Sequence, residues 1–142
     1  MEDRNKAVAR AALFDYLNRR DFKRFEEIHT KDFLKHYNNS PAESLSEEMR
    51  DAKGQYDSSS DLTFTENWMI AEGDKVVTRL TGIGKHEGDL PGAPRTGNDL
   101  MMTSITIHRI ANGKLVEKWS EKDVLGFLIQ LGVMRALGQQ GV

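Results

Sequence analysis

The sequence predicts a single α+β domain in which a strongly curved antiparallel sheet is packed by N-terminal helices and closed by a C-terminal helix. Three observations carry this reading. Apolar residues recur at helical spacing in the first third of the chain and alternate at strand spacing in the second half, and Asn112-Gly113 joins two of the strand segments. Asn-Gly accepts positive φ at both positions, which makes it a strong local hairpin pattern. The 142 residues suffice for one domain with a real core, and no repeat or linker divides residues 1–142.

Residues 5–20 place Val8, Ala12, Leu13, Tyr16 and Leu17 on one stripe of an amphipathic helix. A short second helix follows Asp21, its N-cap, and carries Phe22, Phe25 and Ile28. Residues 29–39 show no regular period. Ser40, Pro41 and Glu43 predict the start of a polar third helix ending near Gly54, with proline at the first helical position and Glu43 reaching back to Ser40. A strand over Leu62 to Ala71 turns at Glu72-Gly73-Asp74 into a second over Lys75 to Lys85. Gly88 to Gly97, with Pro91 and Pro94, reads as a loop, Leu100 to Ile110 as a third strand, Leu115 to Trp119 as a fourth, and Val124 to Leu137 as the closing helix. A curved sheet with its helices gathered on one face makes a cone whose hollow side can hold a small molecule.

Composition narrows the function. Twenty basic against 22 acidic side chains leave a net charge of -2, which argues against a general nucleic-acid surface. No apolar run is long enough to span a bilayer and no basic segment precedes one at the N-terminus, so no membrane association and a cytoplasmic location are expected. The chain has no cysteine, hence no disulfide, thiolate nucleophile or Cys metal site. No two histidines have the His-x-x-x-His spacing of a helical zinc site, and Gly82, Gly84, Gly88, Gly92 and Gly97 form neither a phosphate loop nor a dinucleotide fingerprint. No metal and no cofactor are therefore expected. The nucleophile elbow of a Ser/His/Asp hydrolase is also missing.

Asp123 is the first candidate for acid/base work. It follows Trp119 and precedes Val124, Leu125, Phe127 and Leu128, and a carboxyl pressed among such groups loses hydration and gains basicity. The same position is an ordinary N-cap for the closing helix. His36 stands after Asp32-Phe33-Leu34, where a plain surface or hydrogen-bonded histidine is the first reading and a shuttling or carbonyl-orienting imidazole the second. His86 ends a strand and could frame a pocket rim. His108 shares its strand parity with Ser104 and Thr106, so the three form a polar ladder on one sheet surface. His29 needs no role beyond a helix end. Trp68, Trp119, Phe64, Met69, Met101 and Met102 are candidates for an apolar wall or for core, and Arg79 for a guanidinium that meets a ligand oxygen if it points inward.

The run Val77-Thr-Arg79-Leu-Thr-Gly-Ile-Gly-Lys-His86-Glu-Gly88, then Gly92-Ala-Pro-Arg-Thr-Gly97, then Ile107-His-Arg-Ile-Ala-Asn-Gly-Lys114-Leu-Val-Glu117-Lys-Trp119, with Asp123 and Gln130-Leu-Gly132, resembles the SnoaL-like polyketide cyclases. Asp32-Phe33-Leu-Lys-His36 resembles an early segment of that family. The resemblance covers residues 8 to 132 and implies a nuclear transport factor 2-like (NTF2-like) cone-shaped α+β barrel. It further implies metal- and cofactor-free intramolecular aldol ring closure, with Asp123 as general acid/base, His36 in the pocket and Trp119 beside the site. A histidine on the third long strand would stabilise the enolate oxygen, a place that falls on either His108 or Arg109. Gly84-Lys85-His86 departs from the family's Gly-Thr-His by a cation where a small hydroxyl is usual.

These readings define the expectations. The first is a cofactor-independent enzyme using Asp123 and His36 on a small apolar carbonyl-bearing ligand, as a cyclase, isomerase or dehydratase-like lyase. A related hydrolase and a non-catalytic ligand-binding domain are the alternatives. A homodimer through the open sheet face is expected for any of them, because that face would otherwise expose Val, Ile and Thr. The deciding observation is spatial: Asp123 either meets His36 in an enclosed pocket or only caps the last helix.

Overall fold

The computed structural model describes residues 1–88 and 96–135. Helix α1 (Glu2–Arg10) passes directly into a π-helical segment (Ala11–Tyr16), and α2 (Phe22–Glu27), β1 (His29–Tyr37), β2 (Glu43–Ser44) and α3 (Leu45–Ser58) follow. The chain then forms β3 (Thr63–Glu72), β4 (Lys75–Lys85), β5 (Asp99–Ala111), β6 (Lys114–Lys122) and α4 (Val124–Gln130). All strands join one curved sheet in the order β2-β1-β6-β5-β4-β3. Residues 89–95 of the expected rim loop lie outside the described residues, and the closing helix stops at Gln130 rather than running on to Leu137, with Gly132 in the left-handed region (φ 78°) just past its end.

The antiparallel meander of β3 to β6 matches the expectation, and two features correct it. Residues His29–Tyr37 are a strand, not irregular chain, and it runs parallel to β6 while β2 pairs antiparallel with β1. Its alternation was hidden because one inward position is a lysine, Lys35, and because the register with β6 shifts between His29 and Leu34. The third helix starts later than Ser40-Pro41 suggested. Ser44 is its cap, with the Glu47 amide donating to Ser44 Oγ (3.4 Å) and the Ser44 amide donating to the Glu47 carboxylate (2.8 Å), a complete capping box. The helix also runs through Gly54 to Ser58.

The hairpins are made as their residues dictate. Asn112 (φ 52°) and Gly113 (φ 74°) both occupy the left-handed region between β5 and β6. Two bulges then set which side chains face inward. In β6 Leu115 pairs with Ile110 but Glu117 with Arg109, so Val116 is an extra residue. In β3 Glu66 pairs with Leu80 but Trp68 with Arg79, which makes Asn67 extra.

The inner face of the sheet is divided between two uses. At one end Val76, Ile110, Leu115, Phe33 and Met69 pack against Ala9, Ala12, Leu17, Phe25, Met49 and Ala52 of the helices as the hydrophobic core. Tyr56 joins them and donates its hydroxyl to the Leu17 carbonyl (2.7 Å), and burial raises that phenol to about 12. At the other end Gly82 and Gly84 replace side chains on β4, and the sheet curls over the end of α3. A Cβ at Gly84 would collide with Ser59 Oγ and lie 3.1 Å from Leu62 Cα, whereas one at Gly54 would meet nothing within 4 Å. Gly84→Ala is therefore expected to cost about 1–3 kcal/mol by overpacking, and Gly54→Ala to stabilise α3 by about 0.5–1 kcal/mol. Urea unfolding of the two variants checks the contrast.

Candidate functional site

A cavity of about 580 Å³ occupies the open end of the inner face. Leu62, Phe64, Leu100, Met102 and Phe127 form its apolar walls, and Gly82 and Gly84 leave room at its floor. Asp51, Gln55 and Ser58 of α3 border it, and Tyr37, Ser104, Lys122 and His86 add polar groups from the sheet side. Lys35, Arg50 and Lys85 also reach it, so polar and charged side chains stand beside the apolar walls, as they do in small-molecule sites. A smaller space of about 40 Å³ shares Lys35, Tyr37, Ser104 and Lys122 with it and is also bordered by Thr106, Lys118, Ser120 and Glu48.

The β6 bulge governs what the sheet offers here. Past Val116 the inward positions are Lys118, Ser120 and Lys122, paired across β5 with His108, Thr106 and Ser104. Three lysines, counting Lys35 on β1, thus enter one buried face. Glu48 in the first turn of α3 accepts Lys118 Nζ (3.0 Å) on Oε1 and meets Lys35 Nζ (2.9 Å) on Oε2. Lys35 Nζ also meets Asp51 (2.9 Å) and Glu43 (3.2 Å). Burial works against the Glu48 charge, but Lys118 and Lys35 outweigh it and hold the carboxyl well below the usual carboxylate range. Burial likewise opposes the Lys35 charge, and Glu48, Asp51 and Glu43 together raise its amine above the ordinary lysine value.

Lys122 is different. Among the described residues no carboxylate lies within ion-pair distance of its amine, whose near neighbour is the Tyr37 ring, 5.4 Å to the centroid. Burial first, then the charge of Lys118, push it down to about 8. His86 is 1% exposed, its Nδ1 lies 3.2 Å from Thr96 Oγ1, and its Nε2 has no hydrogen-bond partner among the described residues. Lys122 Nζ and His86 Nε2 are therefore nitrogens of the inner face that reach the cavity without a fixed partner among the described residues. Among the described residues no three His, Asp or Glu side chains are grouped as metal ligands.

The residues singled out in the sequence are dispersed. His86 and Met102 line the cavity. Asp123 is exposed and caps α4, accepting the Gly126 amide on Oδ1 (2.9 Å), and it is not a lining residue. His36 lies on the outer sheet face, where its ring stacks on Trp119 (5.3 Å between centroids, 19°) and Nε2 is 2.7 Å from Glu117 Oε2. Arg109 joins the same cluster by donating to Glu117 Oε1 (3.1 and 3.2 Å), and the His36 bond followed by Arg109 holds Glu117 below its usual range. Asp123 and His36 are thus not brought together at the cavity. Arg79 points outward and donates to Asn67 Oδ1 (2.8 Å), and Trp68 is 43% exposed. The bulges in β6 and β3 turn Trp119 and Trp68 outward, whereas Arg79 and His36 hold the outward positions of β4 and β1 between inward neighbours.

His108 faces inward and Arg109 outward, which decides the strand parity. His108 is nevertheless buried in the core below the cavity, with Nδ1 unpartnered. Sequence reasoning missed Lys122, Tyr37, Gln55 and the Lys35–Glu48–Lys118 network. Inward lysines carry no apolar alternation by which they could be found. Gln130 was noted only within a motif, yet it pins α4 to β5 by accepting the Met101 amide (2.8 Å) and donating to the Met101 carbonyl (2.7 Å).

With this geometry in view, comparison with known proteins identifies the class. The cone-like α+β fold is NTF2-like, and the family model described as SnoaL-like polyketide cyclase matches residues 7–131. The chain belongs to that family. AclR of Streptomyces galilaeus, described as a candidate hydroxylase, is similar at TM-score 0.88 and 22% identity, over 96% of this chain and 89% of its own. IdmH of Streptomyces antibioticus, described as a candidate polyketide cyclase, is similar at TM-score 0.81 and 25% identity, over 91% and 99%. TsrD of Streptomyces laurentii is similar at TM-score 0.82 and 23% identity, over 94% and 98%. Comparison with the curated proteins gives no match.

Two buried histidines make the fold pH-sensitive. His29 sits between the Phe25 and Phe33 rings, 4.6 Å from each, and burial lowers it to about 4 despite the Phe25 carbonyl at Nδ1. Burial, then Lys118, also lowers His108 well below its ordinary value. Both rings stay neutral where the unfolded chain's histidines are charged, so the unfolded chain binds more protons below about pH 6.5. Stability is expected to fall as pH drops from about 6.5 towards 4, with His29 alone contributing ~2 kcal/mol of loss between pH 7 and 5. Urea midpoints at the two pH values check this, and His29→Gln should flatten the dependence.

Proposed function

We propose that the protein is an enzyme that binds a small, largely apolar carbonyl compound in the 580 Å³ cavity and moves protons on it, by enolisation or aldol-type ring closure. The observation that carries this reading is the pairing of an apolar hollow with the nitrogens of Lys122 and His86. An apolar wall excludes water from a carbon acid, and a nitrogen base in hydrogen-bond reach takes its proton. Ser104 stands on the same wall as a hydroxyl donor for the oxygen that gains charge. The likeness to IdmH supports a polyketide-type ligand. In this reading Asp123 works through structure, since its cap fixes α4 and so the placement of Phe127 on the cavity wall.

The test uses α-tetralone, a small aromatic ketone, with binding followed by saturation-transfer NMR and enolisation by deuterium uptake beside the carbonyl. The protein is expected to bind it and accelerate exchange. Met102→Trp, which fills the cavity, should weaken binding by about tenfold or more, equivalent to ~1.4 kcal/mol. Binding with no acceleration would leave a ligand-binding domain and remove the enzyme. Asp123→Asn tells the two assignments apart: exchange lost in a folded variant returns proton transfer to Asp123, whereas exchange retained keeps it with the cavity nitrogens.

We also propose a homodimer through the outer sheet face. That face exposes Trp68, Ile70, Ile83, Met101 and Ile105 by 42–58%, and large apolar side chains gathered on one face favour association. A two-fold contact would bury the same patch on both copies. Light scattering should give twice the chain mass, and Ile105→Glu should give the monomer with its circular dichroism unchanged.

A further inference from the structure

The three lysines of the inner face have unequal surroundings, and the inequality is informative. Lys35 meets three carboxylates and Lys118 meets Glu48, so both are fixed as cations. Lys122 lines both the large cavity and the small space beside it, and among the described residues its Nζ has no hydrogen bond and no carboxylate within 4.0 Å. Phe64 and Tyr37 border the space around Lys122, with Lys118 as the neighbouring cation and Glu48 and Asp51 as the carboxylates of α3, and desolvation beside another cation is what activates an amine as a nucleophile. We propose that Lys122 attacks the carbonyl carbon of a ketone or aldehyde bound in the cavity and holds it as an imine. This rests on the reading above that the cavity takes a carbonyl compound.

Burial and the Lys118 charge push Lys122 down to about 8, so about a tenth of the amine is neutral at pH 7. The neutral nitrogen forms a bond to the carbonyl carbon, and a proton passes from nitrogen to oxygen to give a carbinolamine. A proton from solvent reaches the carbinolamine hydroxyl, the C–O bond breaks, water leaves, and the iminium remains. Its positive nitrogen acidifies the neighbouring C–H, and the His86 nitrogen without a partner lines the same cavity to receive that proton. The resulting enamine carbon adds to a second carbonyl of the same molecule, whose oxygen takes the proton held by His86, and the iminium forms again. Water then adds to the iminium, and the amine leaves unchanged. The ligand class follows: a compound with two carbonyl groups and an apolar body.

The probe is 1-phenylbutane-1,3-dione, whose condensation with an amine gives a stable conjugated enaminone. Intact mass spectrometry is expected to show one adduct per chain, heavier by the diketone less one water, with a new near-ultraviolet band. Peptide mapping should place it on Lys122, and its rate should rise across a midpoint near pH 8. Lys122→Met and Lys122→Arg should lose the adduct while saturation transfer still reports bound diketone. Bound probe without an adduct, or an adduct on any other lysine, overturns the inference and leaves the proposed function standing. No binding at all overturns both. Mapping the unaltered protein decides the matter if either variant fails to fold.

Discussion

The one-residue bulge at Val116 is the constraint from which most of the site follows. Without it, Leu115 pointing into the core would carry Glu117, Trp119 and Glu121 inward with it. With it, Lys118, Ser120 and Lys122 take the inner face, and Glu117 and Trp119 go outside to join His36 and Arg109. A strand has a side-chain period of two, so a single extra residue exchanges its faces completely. The cavity's chemistry is thus an effect of register before it is one of composition.

Placing lysines inward creates a problem that α3 answers. A buried cation loses several kcal/mol of hydration, which is regained only with good partners. Glu48 supplies one carboxylate to two lysines, and it stands in the first turn of α3, where the helix dipole also favours negative charge. Asp51, one turn further, adds a second contact to Lys35. The network therefore fixes how α3 lies across the sheet, with Met49, Ala52 and Tyr56 in the core and Asp51, Gln55 and Ser58 at the cavity. The same helix serves packing and site because its register against Lys35 and Lys118 is set by charge.

The meander was legible because its cues are local. Val76, Thr78 and Leu80 alternate with half-buried neighbours, and Asn112-Gly113 declares its turn. The cap of α2 at Asp21 and that of α4 at Asp123 were legible for the same reason. β1 was not, since Lys35 stands where an apolar residue would mark the inner face and is stabilised by residues eight to sixteen positions away. Neither bulge is announced by a glycine or proline, because Val116 and Asn67 are the extra residues. Family likeness pointed to Asp123 as the acid/base residue, whereas that side chain caps α4 outside the cavity and Lys122, one residue earlier, lines it.

That last distinction has a physical basis in how the strand ends. Lys122 is the final residue of β6, and its amide is held by Asn38 Oδ1 (3.1 Å), so its side chain keeps the inward parity of the strand. Asp123 already has the backbone of a helix cap (φ -76°, ψ 72°), and its carboxylate is drawn to the Gly126 amide. A side chain on Gly126 would collide with that carboxylate, so the absence of a Cβ there is what lets the cap close. No residue of α4 is fully buried, and the helix depends on this cap and on the two bonds from Gln130 to Met101. The pair therefore divides the work of one junction: Lys122 ends the sheet inside the cavity, and Asp123 begins the helix whose Phe127 walls it.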